Sequence, residues 1–117
     1  MAAPNVVNVA TISGKTDVLA VTTTPTAIVT NSAASGKVIK VNALYISNVD
    51  GTAAADVTVD LYRSTTAWRL GYTVSVPADS VLDFLSKSLY LQEGDSLRLT
   101  ASANGYLEGI CSYEEIS

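Results

Sequence analysis

The chain contains no histidine, and this absence limits the chemistry that its other polar residues could perform. Without imidazole, the commonest general base and metal ligand is missing, as is every nucleophile that depends on a histidine partner. Paired carboxylates, or a metal ion held by oxygen ligands, would have to take over. Asp56 and Asp60 share one face of a predicted strand, about 13 Å apart at about 3.3 Å per residue. That separation is too large for one metal ion, and too large for a glycosidase pair at about 5–9.5 Å.

The remaining acidic pairs lie at predicted turns. Asp79 with Asp83, and Glu93 with Asp95, stand where carboxylates normally accept hydrogen bonds from backbone amides. A calcium site would need about six or more converging oxygens, which this spacing does not provide. The sequence therefore predicts no enzyme activity, no catalytic residue, no metal site and no cofactor.

Composition favours a single soluble domain that works through surfaces. The chain has 117 residues, of which 48% are hydrophobic and only 15% are charged, against a usual charged fraction of about 25%. A surface with few charges loses little hydration when another protein covers it, so this composition is typical of a protein with extensive protein–protein contacts. It is equally typical of an ordinary Thr-rich β-protein. The net charge of −4 and the scattered basic residues argue against nucleic-acid binding.

The redox and membrane signals are equally plain. Cys111 is the only cysteine, so no disulfide can form within the chain, and its apolar neighbours predict a buried thiol that packs like a small apolar side chain. The N-terminal residues lack the pattern of a signal peptide, and no apolar run reaches the roughly 18 residues that a membrane helix needs. We expect a protein that is made in the cytoplasm and does not enter a membrane.

The residues that position any site follow a strand period. Two apolar runs between Lys37 and Arg63 flank a loop at 50–55 that begins with Asp-Gly, and this pattern predicts a hairpin. Similar short runs recur along the chain, separated by turns every 8–12 residues or so, such as Ser13-Gly14-Lys15 and Ser64-Thr65-Thr66. No segment keeps a helical period. The fold class predicted is all-β: an antiparallel β-sandwich, jelly-roll-like, with about eight or nine short strands.

The domain organisation predicted is simple. Residues 1–14 form an N-terminal arm or a first strand, and residues 15–117 form a single β-sandwich domain. The arm has the apolar content of a strand, so we expect it to add to a sheet edge of a neighbouring subunit or to lie on a shell, because edge amides template such pairing.

Aromatic residues offer an alternative of another class. Trp68, Tyr62, Tyr72 and Tyr106 could form a platform for a sugar. Alternation, however, places Trp68 and Tyr72 on one face with aliphatic residues, and this pattern predicts a core face. A carbohydrate-binding or host-adhesion module would require Trp68 to be exposed to solvent, whereas a structural protein would bury it in the core or at a subunit contact.

In its turns and strands the chain resembles small structural proteins of tailed bacteriophages, of the kind that decorate or cement the capsid or belong to the tail and baseplate. The resemblance covers most of the chain after residue 36, but its patterns are not specific for a function. The segments that carry it are Gly36-Lys37-Val38-Ile39-Lys40-Val41, Ile46-Ser47-Asn48-Val49-Asp50-Gly51, Ala54 to Tyr62, Val76-Pro77-Ala78-Asp79-Ser80 and Leu91 to Arg98.

The resemblance implies a non-enzymatic virion protein that assembles into a trimer or a larger ring. The first expectation is a capsid cement or decoration protein, assembled in the host cytoplasm, with copies of itself and the major capsid protein or other virion proteins as partners. A tail, neck or baseplate component is the structural alternative. Glu114 and Glu115 face opposite ways on the last strand and either border solvent or contact a neighbouring subunit. The candidate interface residues are Pro4, Val6, Val7, Val9, Ile12, Glu114 and Glu115.

Overall fold

A computed structural model describes residues 11–117, and in this range the regular structure consists of strands. No helix in this range is long and apolar enough to cross a membrane. The strands are β1 (Ile12–Ala20), β2 (Thr26–Thr30), β3 (Val38–Asn48), β4 (Ala55–Arg63), β5 (Thr66–Val76), β6 (Val81–Asp83), β7 (Leu89–Leu91), β8 (Ser96–Ala101) and β9 (Leu107–Ile116).

The strands form two antiparallel sheets. The first sheet has the order β1-β9-β3-β6, and β7 also pairs with β3, so that β6 and β7 share one side of that long strand. The second sheet has the order β2-β8-β4-β5. Pro25 directly precedes β2, an edge strand, where its missing amide hydrogen costs no ladder bond. The predicted fold class, an all-β antiparallel sandwich, is confirmed.

The two sheets share one apolar core. Alternate residues of each strand point inward, among them Leu44 and Ile46 of β3 and Val57 and Val59 of β4, which are all fully buried. Cys111 is buried in the same cluster, as its apolar neighbours predict. Because apolar and polar residues alternate along the strands, each sheet has an apolar inner face and a more polar outer face.

The predicted hairpin between β3 and β4 is wrong, although both strands exist. The two strands belong to different sheets, so residues 49–54 carry the chain from one sheet to the other. The buried Asn48 side chain secures this crossing, because its Nδ2 donates to the carbonyl oxygens of Ala53 at 3.0 Å and Val76 at 2.9 Å. Asp50 accepts hydrogen bonds from the amides of Thr52 and Ala53, as its turn chemistry predicts.

The N-terminal turn is placed differently from the prediction. Ser13-Gly14-Lys15 lies inside β1, and each of its residues is paired with β9, because a strand opposite β9 satisfies backbone groups that a turn would leave unpaired. Residues 12–14 are therefore continuous with residues 15–20. Residues 1–10, which make up most of the predicted arm, lie outside the described range.

The predicted reversal after β4 is confirmed as a two-residue β-hairpin. Arg63 pairs with Thr66, and the two residues between them have positive φ angles, 51° at Ser64 and 61° at Thr65. Positive φ angles at both central residues are typical of a type I′ turn, the turn whose twist matches that of the adjacent strands.

Beyond this hairpin, β5 follows β4 irregularly. The register shifts at two places, between Val57 and Val59 and again between Val59 and Asp60. At both, β5 has one more residue than β4, so the period of two fails in the middle of β5.

Candidate functional site

The outer face of the first sheet carries an exposed apolar row. Val18 on β1, Ile110 on β9 and Tyr45 on β3 are paired in register across three neighbouring strands. All three side chains are exposed, Val18 to 75%. Val81 on β6 pairs with Ser47, which lies two residues after Tyr45 on β3. Val81 is also exposed and extends this surface. We call these four residues the apolar row.

Uncharged residues border one side of the apolar row. Thr16, Ser112 and Ala43 form the next set of cross-strand partners, at a position where β3 bulges around Asn42. Charged residues lie beyond them, where Glu114 pairs with Lys40, on the opposite side, at Glu108, and at the β6 end of the row, where Asp83 pairs with Tyr45. The centre of this face therefore has the composition of an interface core, with aliphatic and aromatic groups and few charges.

Three of the predicted interface residues lie in the described range, at one end of the first sheet. Ile12 pairs with Ile116 and is exposed. Glu114 accepts a 3.4 Å hydrogen bond from Asn42 Nδ2, so it does not stand alone. Pro4, Val6, Val7 and Val9 lie outside the described residues.

Glu115 already has cationic partners in its own chain. Its Oε1 lies 3.0 Å from Lys15 Nζ and 3.3 Å from Lys37 Nζ. Hydrogen bonds from Lys15, followed by those from Lys37, lower the pKa of this carboxyl group below its usual value. Both glutamates lie on β9, which is flanked by β1 and β3, so they do not lie on a sheet edge.

The outer face of the second sheet contains a polar cavity of about 280 Å³. Its walls combine charged, hydroxyl and aromatic side chains from three strands: Asp56, Thr58, Asp60, Arg69, Tyr72 and Arg98. The common face of Asp56 and Asp60, which alternation predicts, is confirmed by their presence in one cavity. That Arg69 and Arg98 join them could not be predicted from local alternation, because Arg69 lies on β5 and Arg98 on β8.

A fixed ion pair forms the floor of this cavity. Arg98 Nε donates to Asp60 Oδ1 at 2.8 Å, and the Arg98 guanidinium carbon lies 3.9 Å from the centre of the Tyr62 ring. Asp60 is 3% exposed, so its charge depends on Arg98 for compensation. On the rim, the Arg69 guanidinium carbon lies 4.9 Å from the centre of the Tyr72 ring.

The predicted core position of Trp68 and Tyr72 is wrong. Trp68 is 62% exposed and Tyr72 is 64% exposed. Two physical causes act together: β5 is the edge strand of its sheet, and its register shifts separate Trp68 from Tyr72. Trp68 pairs with Leu61, while Tyr72 joins Arg69 at the cavity. Tyr106 packs against the core, so the four aromatics do not form one platform.

A second ion pair is structural. Asp95 follows the turn at Glu93-Gly94 and is almost fully buried, and its carboxylate accepts from Arg63 Nε at 2.7 Å, Arg63 Nη2 at 2.5 Å and the Gln92 amide at 2.8 Å. The bonds from Arg63 are the main cause of its lowered pKa. The Gln92 bond confirms the predicted turn role of Asp95, but the sequence did not indicate the pairing with Arg63.

The two titratable groups in the core are poor candidates for chemistry. Burial raises the pKa of the Cys111 thiol to about 12, so it stays protonated and unreactive near neutral pH. Tyr113 donates its hydroxyl hydrogen to Asp17 Oδ2 at 2.8 Å, and burial followed by this bond raises its pKa. Within residues 11–117, no three acidic or cysteine side chains cluster in a way that could hold a metal ion.

Comparisons with known proteins bear on the fold. No family model matches the chain, and no curated protein resembles it in sequence. A solved structure from a study of Bacillus endospore appendages, described there as a novel family of disulfide-linked pili, is 15% identical over 92% of this chain and 87% of that one, with a TM-score of 0.53. A pentameric capsid protein from metagenomic phage sequences is 17% identical over 86% of this chain and 60% of that one, with a TM-score of 0.43, which is too low to support an argument. The chain thus shares its fold with a subunit of a bacterial spore appendage.

Proposed function

We propose that this chain is a non-enzymatic structural protein that acts through contacts between copies, as a trimeric capsid cement or decoration protein of a tailed bacteriophage. The observation that carries the proposal is the apolar row of Val18, Ile110, Tyr45 and Val81. Leaving such a row in water is unfavourable, and covering it with a second copy removes that cost. Because the residues along one side of the row are uncharged, the ions that would lose hydration in the contact are confined to Glu108 and Asp83.

The free edge of β1 supports the same proposal. This strand pairs with β9 on one side, and no described strand pairs with its other side. Its outward amides and carbonyls are therefore available for strand addition. The arm, with Pro4, Val6, Val7 and Val9 as contact residues, adds to such an edge of a neighbouring subunit or lies on the shell, and the exposed Ile12 of β1 is a contact residue beside it.

The oligomeric mass of matched variants tests the role of the apolar row. Val18→Lys places a charge at the β1 end of the row, on its most exposed member, and should convert the trimer to monomers in sedimentation or light scattering. Val49→Lys is the matched control, because Val49 is the same residue type, is exposed, and lies in the loop between the sheets. A wild-type chain that is monomeric at all concentrations, or equal masses for both variants, would contradict the proposal.

The arm is tested by a shorter deletion than the predicted boundary suggests. Because Ile12, Ser13 and Gly14 belong to β1, removing residues 2–10 spares the strand. The shortened chain should keep its far-UV circular dichroism spectrum and lose assembly. Retention of full assembly would refute a role for the arm and leave the apolar row to be judged by the Val18 variant.

Binding to shells identifies the virion location. A cement protein that binds only the assembled shell stabilises it by mass action, so heads with bound protein should withstand higher temperatures than bare heads. A tail, neck or baseplate component would instead form a ring of another symmetry and occupy tails in micrographs. Particle micrographs with labelled protein separate these locations.

A carbohydrate-binding or host-adhesion module is a second candidate, because Trp68 and Tyr72 are exposed as that class requires. Trp68 is the only tryptophan, so its emission reports its environment alone. A shift of the emission maximum on assembly places Trp68 at a subunit contact. A shift on addition of a saccharide supports adhesion.

A further inference from the structure

The polar cavity on the second sheet contains donors and acceptors that the described residues leave uncommitted. Asp60 uses Oδ1 for Arg98, while its Oδ2 accepts no hydrogen bond within residues 11–117. Arg98 in turn donates only through Nε in this range, and its two terminal nitrogens are left over. No side-chain hydrogen bond engages the Asp56 carboxylate or the Arg69 guanidinium among these residues, although both line the cavity.

The mixture of charges excludes several ligand classes. Two carboxylates line the cavity, so an anion such as phosphate would be repelled by Asp56 and by any charge that Asp60 retains beside Arg98. Two guanidinium groups line it as well, so a metal cation is disfavoured by Arg69 and Arg98. The net charge of −4 opposes the binding of a nucleic acid strand. A neutral ligand that both donates and accepts hydrogen bonds can bind the carboxylates and the guanidinium groups at the same time.

Neighbouring hydroxyl groups on a sugar ring have this property. Each hydroxyl can donate to a carboxylate oxygen of Asp56 or Asp60 and accept from a nitrogen of Arg69 or Arg98. Charged groups make the stronger kind of hydrogen bond, so a few such contacts fix the orientation of a small ligand.

The cavity also has the size and the aromatic wall that one sugar ring needs. Its volume of about 280 Å³ is just below the range of about 300–1,000 Å³ for sites that hold drug-sized molecules, which suits a single ring. Tyr72 contributes an exposed ring whose centre lies 4.9 Å from the Arg69 guanidinium carbon, and such a ring offers an apolar surface to the C–H groups of a sugar. Trp68 does not line this cavity.

We propose that the cavity formed by Asp56, Asp60, Arg69, Tyr72 and Arg98 binds one ring of a neutral saccharide. This proposal rests on the adhesion candidate and names its site; assembly through the apolar row does not depend on it. The floor of the site is in place before the ligand arrives, because Arg98 pairs with Asp60 and stacks on the Tyr62 ring.

Calorimetric titration of the intact chain tests the site. The probes are three neutral oligosaccharides (chitotriose, mannotriose and lactose) and one acidic one, 3′-sialyllactose. At least one neutral probe should bind, and Asp56→Ala and Tyr72→Ala should each weaken it by about tenfold or more. Tyr90→Ala is the matched control, since Tyr90 is an exposed tyrosine on the other sheet, and it should bind like the wild type. Circular dichroism confirms that each variant is folded.

The outcomes separate the site from the adhesion function. Binding that is weakened by the cavity variants and not by Tyr90→Ala supports the site. Binding that survives both cavity variants but is lost in Trp68→Ala overturns the site and leaves adhesion standing. Binding of the acidic probe alone overturns the neutral class. Failure of all probes at millimolar concentration overturns the site and the adhesion candidate, while the assembly proposal is judged by the oligomeric mass.

Discussion

Replacing Arg63 by alanine tests whether the buried Asp95 carboxylate depends on its ion pair. The substitution removes two charge-assisted hydrogen bonds, at 2.7 and 2.5 Å, and leaves Asp95 with the Gln92 amide. Breaking a fully buried pair costs about 3–5 kcal/mol. The Arg63 side chain is 40% exposed, which lets solvent screen the pair. We therefore expect the free energy of unfolding at pH 7 to fall by about 2–3 kcal/mol.

The stabilisation by the Arg63–Asp95 pair should depend on pH, in a direction set by the lowered pKa of Asp95. Arg63 lowers the pKa of Asp95 in the folded state, so the stability that the pair contributes is present above the ordinary pKa of about 4. It is lost as the pH falls from there through the lowered pKa of the folded chain. The wild type should therefore lose stability on acidification more steeply than Arg63→Ala, and the difference between the two should narrow below about pH 4.

Urea unfolding followed by circular dichroism at several pH values, at one fixed protein concentration, measures both effects. Arg69→Ala is the matched control, because Arg69 makes no ion pair with another described residue. A double-mutant cycle with Asp95→Asn isolates the coupling of the pair. If Arg63→Ala is no more destabilising than Arg69→Ala, and the difference from wild type does not change with pH, the argument from buried charge is wrong.

Three further predictions concern local features. Substituting Ser64→Asn and Thr65→Gly should raise the free energy of unfolding by about 1 kcal/mol, because both positions have positive φ angles that Asn and Gly adopt more readily; an unchanged or lower melting temperature would contradict this. Gly71→Ala should lower the free energy of unfolding by about 1–3 kcal/mol, since its Cβ would collide with the Phe84 ring, whereas Gly14→Ala, whose Cβ would meet no atom within 4 Å, should lower it much less; Phe84→Leu should partly rescue the Gly71 variant. Cys111 should react with iodoacetamide only after unfolding in urea, because its pKa is raised to about 12, and rapid alkylation of the native chain would show that it is accessible.

The strands could be predicted from the sequence because period-two alternation is a local signal. The Ser64-Thr65-Thr66 reversal, predicted from its turn residues, is a true hairpin. The same alternation could not predict which strands pair with each other. The run before Asp50 and the run after it look like the arms of a hairpin, yet they separate into two sheets, because alternation records which side chains are buried and not which strand lies alongside.

The functional surfaces were harder to predict, for two physical reasons. The apolar row depends on the register of four strands, most of them distant in sequence, and its only local trace is that Val18 is apolar next to the apolar Leu19. The error at Trp68 came from two bulges in β5, which shift the alternation on either side of Gly71, and a glycine in the middle of an alternating run is the local trace that such bulges leave. Asp56 and Asp60 were assigned to one face, but their arginine partners required knowledge of the neighbouring strands.

The position of β9 between β1 and β3 has a consequence for how the protein is made. On the ribosome, β1 and β3 emerge long before the strand that separates them, and until it arrives both present unpaired edges. The first sheet can form completely only after synthesis has passed Ile116. Until then the nascent chain exposes strand edges, and nascent copies on the same mRNA could pair with them. Crowded expression should therefore favour misassembly, and slower translation or chaperone binding should reduce it.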